Sequence, residues 1–140
     1  MFCVIVVDAN VILPFFSAES FTRKLIVRLF LGGCRLIAPK YAFLEIEDKK
    51  EIIKEKFSLN EKQFAVLLSV VKKIIEPIEL LEFRNHLEEA KTISPDPKDV
   101  EYFALALKYS CPIWSNDKRL KKQNKVLVLS TKEIAELFSE

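Results

Sequence analysis

This 140-residue sequence predicts an α/β fold, a parallel sheet wound on both faces by helices. Three observations lead there. The apolar run at 2–7, rich in β-branched residues, reads as a central strand covered on both faces. Long stretches elsewhere carry apolar residues three and four apart, the period of amphipathic helices. The two kinds of segment alternate along the chain without repeats, linkers or low-complexity tracts, the order that a doubly wound sheet produces.

In order, the run at 2–7 ends at Asp8-Ala9-Asn10, and a short helix-like piece follows through Pro14 and Phe16. Ser20 caps a helix in which Phe21, Leu25, Ile26, Leu29 and Phe30 keep helical spacing, and Gly32-Gly33 close it. Residues 35–38 form a second strand. Pro39 opens a helix that is apolar at Tyr41, Phe43 and Leu44 and highly charged over 45–56. Ser58-Leu59-Asn60-Glu61 reads as a capping box for a helix with Phe64, Leu67, Leu68 and Val71 on one stripe. Ile74-Ile75 is a brief strand stopped by Pro77, and 83–93 is a helix. Asp96 then precedes Pro97, with Asp99 in the first turn, which is N-cap chemistry. The apolar helix that follows, from Val100 through Leu107, ends at Cys111-Pro112. Ile113-Trp114 is a short buried strand, and Asp117 stands where the next helix begins. Residues 126–129 make the last strand, and 131–138 a closing helix capped by Ser130.

The length suits one domain over 1–140, with enough chain for a core without staples. Half the residues are hydrophobic and eleven are Phe, so some apolar surface is expected to close against a partner. Net charge is only +2, so any nucleic-acid affinity must come from a local basic patch. Cys3, Cys34 and Cys111 are odd in number and widely spaced, and read as buried free thiols in a reducing cytoplasm. No stretch approaches the ~20 apolar residues of a membrane span, and 2–7 is too short for a signal-peptide core.

Two scarcities exclude whole classes of chemistry. The only glycines are the pair at 32–33, so no glycine loop cradles phosphates, and P-loop and dinucleotide sites are excluded. The single histidine, His86, lies in a polar helical context and reads as solvated. Paired-imidazole hydrolysis and histidine-rich zinc chemistry go with it. Hydrolysis here would rest on carboxylates.

Ligands of open parallel sheets bind at the carboxyl ends of the strands, near the point where strand order reverses. Asp8 follows the first strand and Asp117 follows Ile113-Trp114. Glu45 lies one to two turns into the helix after the second strand, and Asp99 starts the helix before Ile113. Each has a purely structural account as a cap or a surface charge. Gathered on one edge, they do not: two carboxylates ~5 Å apart repel by about 3 kcal/mol at an effective dielectric near ~20. Such a cluster needs a cation or raised pKa values. All-oxygen donors select Mg²⁺ or Mn²⁺, and phosphodiester hydrolysis is the natural reaction of that ion.

VVDAN, DPKDVEYFALAL and WSND resemble the motifs of PIN-domain nucleases, the family that includes VapC-type toxin ribonucleases, and the resemblance covers nearly the whole chain. It implies five parallel strands with helices on both faces, and metal-dependent endonucleolytic cleavage of single-stranded RNA. The family's metal-site acids fall on Asp8, Glu45, Asp99 and Asp117, with Asp96 and Asn10 flanking and Ser115 at a hydroxyl position. Asp48 is the other candidate for the place of Glu45, since it shares that helix face. The resemblance also implies a homodimer and a toxin whose antitoxin covers the site. Lys118, Arg119, Lys121, Lys122 and Lys125 follow Asp117 and would hold RNA phosphates beside the metal. Two other readings compete. A haloacid-dehalogenase-type phosphatase wants an acid two residues after the first, and Asn10 stands there instead. A non-catalytic RNA-binding or assembly module on the same scaffold is opposed by the intact acid set.

Overall fold

The computed structural model describes residues 3–139. The chain runs through β1 (Val4–Val7), α1 (Ala9–Ile12), a 3-10 turn at Leu13–Phe16, α2 (Phe21–Leu31), β2 (Arg35–Pro39), α3 (Lys40–Asp48), α4 (Lys50–Lys56), α5 (Glu61–Ile74) and β3 (Ile75–Ile78). It continues through α6 (Leu80–Phe83), α7 (Leu87–Ile93), α8 (Val100–Tyr109), β4 (Ile113–Trp114), β5 (Val128–Leu129) and α9 (Thr131–Leu137). Among the described residues no helix is long and apolar enough to cross a membrane.

All strand pairs are parallel, in the order β3-β2-β1-β4-β5. Strand β1 is central, and all four of its residues are buried, as a continuous apolar run requires. Crossovers from β1 through β3 step one way across the sheet, and those into β4 and β5 step the other. With right-handed connections, the helices divide between the two faces. The reversal falls between β1 and β4, so a crevice opens at their carboxyl ends, where Asp8 and Ser115 emerge. Helix α8 carries Tyr102, Phe103, Ala104, Leu105 and Ala106 into the core and packs on β1 and β2. Because it runs back against the strands, its amino end lies at that same crevice.

Several expectations are corrected. Phe2 lies outside the described residues, and β1 begins at Val4. Cys3 and Cys34 are not free: they are disulfide-bonded, 4.6 Å apart at Cα. The parallel register pairs Val4 with Arg35, so the residues one step earlier on each strand stand side by side. Cys111 is the free thiol.

Pro77 does not stop β3 but lies within it, paired in register with Ala38. It is tolerated because β3 is an edge strand, where one side of the backbone needs no donor. The capping box is two residues later than expected, with Asn60 and Gln63 exchanging bonds of 2.8 Å in each direction. Ser58 instead takes a positive φ of 55° in the turn before it.

The helix expected at 83–93 is divided by a 3-10 turn at Arg84–His86, and His86 is half-buried with Nδ1 enclosed and unpartnered. The charged helix after Pro39 breaks at Lys49 into α3 and α4. Asp117 caps only a 3-10 turn, Lys118–Lys121, and the last strand is confined to Val128–Leu129.

Candidate active site

Asp8 ends β1 and caps α1, its Oδ1 accepting from the Asn10 amide at 3.3 Å. Its backbone amide donates to the Trp114 carbonyl at 3.0 Å, which ties it to the end of β4. The Ser115 hydroxyl donates to Asp8 Oδ2 at 2.7 Å and accepts from the Asp117 amide at 3.1 Å. Ser115 is 1% exposed and Asp8 7%. One enclosed hydroxyl therefore sets the first acid and the start of the last acidic turn together.

Asp99 is the residue before α8, yet its side chain makes no capping bond. Capping falls to Asp96, whose Oδ1 accepts from the Lys98 amide at 2.9 Å. The Asp99 carboxylate is thereby left to face the crevice. Glu45 arrives from α3, and Tyr41 and Lys49, four residues to either side of it, share its helix face.

These side chains surround one cavity of about 160 Å³. Asp8, Glu45, Asp96, Asp99 and Asp117 all line it, so five of the six acids singled out in the sequence are brought to one place. Asn10 lines it too. Asp48, exposed on α3, does not, whereas Glu45 does. Of the basic segment, Arg119 alone reaches the cavity; Lys118, Lys121, Lys122 and Lys125 do not line it, and Lys121 is paired with Glu133.

Four polar lining residues escaped the sequence reading: Tyr41, Tyr102, Lys49 and Lys98. A signal for three of them was present. Tyr41 and Lys49 stand at i−4 and i+4 from Glu45, and Tyr102 at i+3 from Asp99. The Tyr102 hydroxyl accepts from the Ala9 amide at 3.2 Å, leaving its own proton free.

The electrostatics are those of crowded acids. Burial pushes the Asp8 carboxyl above its ordinary range, while Ser115 and the Asn10 amide pull it back and Asp117 adds to the rise. Asp99 is pushed up to about 6, first by burial and then by Asp8, Asp96 and Asp117. Glu45 is raised by burial and by Asp8, against the pull of Lys49, Tyr41 and Lys98. Asp117 is the exception, held below its usual value by Arg119. The guanidinium grips it at 2.8 Å through Nη2 and at 3.1 Å through Nε, and reaches Asp96 at 3.7 Å.

A profile of the PIN domain matches residues 6–136. The chain belongs to the PIN-domain family. A comparison with curated protein sequences gives no match. Among solved structures it is similar to VapBC2 from Rickettsia felis, crystallised with a DNA fragment from its promoter. The TM-score is 0.63 at 13% identity, covering 91% of this chain and 98% of the other, a likeness of fold. PIN domains are generally nucleases, and the crevice of this one has the oxygen-only donors that a hard divalent ion takes. Among the described residues, no three His, Cys, Asp or Glu side chains form a ready-made metal cage. The carboxylates ring the cavity rather than converge, because Asp8 is turned to Ser115 and Asp117 to Arg119.

Proposed function

We propose that this PIN domain, taken as the whole of residues 1–140, is a metal-dependent endoribonuclease that cleaves single-stranded RNA. The observation that carries the reading is Asp99: a carboxylate at a helix start that caps nothing, faces other carboxylates and is pushed up to about 6 by burial first and then by those neighbours. Such an arrangement is unfavourable for the protein alone and favourable toward a bound cation. The donor set fits Mg²⁺ or Mn²⁺, held by Asp8, Glu45, Asp99 and Asp117. When bound, the ion supplies a water of lowered pKa and polarises a phosphoryl oxygen.

The chain's own residues do the rest. Ser115 and the Asn10 amide keep Asp8 in one orientation. With a metal bound, Asp117 would serve as a ligand in place of its pair with Arg119, and the guanidinium would be available to a phosphate. Asp96 holds the turn that presents Asp99. Lys118, Lys121 and Lys122 belong to the same proposal as outer phosphate contacts. The proposed setting is cytoplasmic, with the protein a homodimer and the toxin of a toxin–antitoxin pair. The exposed Phe21, Ile52 and Val66 offer apolar surface to a second copy or to the antitoxin. A reducing cytoplasm would open the Cys3–Cys34 bridge.

The test is cleavage of a labelled single-stranded RNA with Mg²⁺ or Mn²⁺. Asp8→Asn and Asp99→Asn are expected to reduce the rate by at least about 10²-fold while circular dichroism stays unchanged. Cleavage that persists in EDTA would sink the metal mechanism. A second reading, a binding module without catalysis, draws on the grip of Arg119 on Asp117. Tight RNA binding with no cleavage under any divalent ion would establish it.

A further inference from the structure

Five carboxylates around one cavity repel a polyanion, so a nucleic-acid substrate needs cations at the same opening. Among the described residues, the basic run after Asp117 places no unpaired cation on the cavity lining. Arg119 is engaged with Asp117, Lys121 with Glu133, and Lys118, Lys122 and Lys125 stay off the lining. Two other ammonium groups do reach it. Lys49 sits at the break between α3 and α4, one turn beyond Glu45. Lys98 sits in the Pro97–Asp99 turn, between Asp96 and Asp99.

Neither makes an ion pair among the described residues. The contrast with Lys50 is direct, since that next residue is held by Glu61 at 2.7 Å. Lys49 and Lys98 thus come from two separate elements and line one acidic opening, each on a stem long enough to follow a moving partner. Their charge is felt inside, since both pull Glu45 down.

We infer that Lys49 and Lys98 are the residues that grip the substrate, each holding a phosphate next to the scissile one, so that RNA is recognised through its backbone. The inference rests on the RNA-cleavage reading. It predicts weak dependence on base identity and strong dependence on salt, since ammonium groups read charge and not base edges.

The experiment uses the full chain carrying Asp8→Asn, so that RNA is bound but not cut. Affinity for a short fluorescein-labelled single-stranded RNA is followed by anisotropy from about 50 to 200 mM salt. Adding Lys49→Ala and Lys98→Ala together is expected to weaken binding about tenfold or more. The slope of log K against log salt should fall by about 1.4, or ~0.7 for each phosphate no longer neutralised. Lys49→Arg with Lys98→Arg should restore both, and Lys24→Ala should change neither. A double alanine variant that melts like its parent and binds with the same affinity and slope would overturn the inference while leaving RNA cleavage standing. A parent protein without salt-dependent RNA binding, together with a wild type that cuts no RNA with Mn²⁺, would overturn both.

Discussion

The two edges of the same sheet are built on opposite electrostatic principles. At the amino edge the groups flanking β1 and β2 are partnered. Cys3 is bonded to Cys34, and Arg35 meets Glu76 at 3.0 Å while lying over the Tyr109 ring at 5.1 Å. The one free thiol there, Cys111, is pushed up to about 11 by burial and is inert as a nucleophile. At the carboxyl edge β1 and β4 deliver acids beside one another, and α3 and the start of α8 add more. Folding could have distributed those charges. Where like charges are gathered against the interest of stability, the explanation is sought in what the site must bind.

If that division is right, damage at each edge should read out differently. The largest effect on stability belongs to the amino edge. The bridge closes a loop with a separation of 31 residues, and losing that constraint on the unfolded chain costs roughly 3–4 kcal/mol. Cys34→Ser, or reduction of the native protein, should lower the denaturant midpoint accordingly and leave RNA cleavage per folded molecule unchanged. A comparable loss of rate would mean the two edges are coupled. Ser115→Ala comes next. It leaves the buried Asp8 Oδ2 and the Asp117 amide short of a partner, at a cost of about 1–3 kcal/mol. Without that hydroxyl Asp8 holds its proton to higher pH, so the rising limb of the cleavage profile should move upward. Ser115→Thr, which keeps the donor, should leave the limb in place.

The contrast between the edges was only partly legible in the sequence. The acids were legible because each stands at a change of local pattern: Asp8 at the end of an apolar run, Asp99 after Pro97, Asp117 after Trp114. The Cys3–Cys34 pair was not, although each cysteine directly precedes a strand. Pairing them requires the β1–β2 register, and register is a property of two distant segments together. Pro77 misled for a related reason, since whether proline is allowed depends on β3 being an edge strand. The basic run after Asp117 stands out along the chain, and its Arg119 lines the cavity. Lys49 and Lys98 were not legible in that way, because they reach the cavity through a helix face and a capping turn, from segments far from Asp117 in sequence.

The smallest effect is the sharpest probe of the carboxyl edge, because its sign is unusual. The ordinary Asp value is 3.8, and in the folded protein Asp99 is pushed up to about 6 by burial, Asp8, Asp96 and Asp117. Between those two values the folded state holds a proton that the unfolded chain has released. Stability therefore falls as pH rises through this window, and the full penalty remains above it. Asp99→Asn removes the penalty, and it removes no hydrogen bond, since the carboxylate caps nothing. In metal-free buffer the variant should melt higher than the wild type at pH 7.5, by about 2–4 °C after allowing for solvent screening. That difference should shrink through the window and vanish near pH 4. Mn²⁺ should reverse the order by stabilising the wild type more. A variant that melts lower at pH 7.5 without metal would show that Asp99 serves the fold, and the carboxyl edge would then obey the same rule as the amino edge.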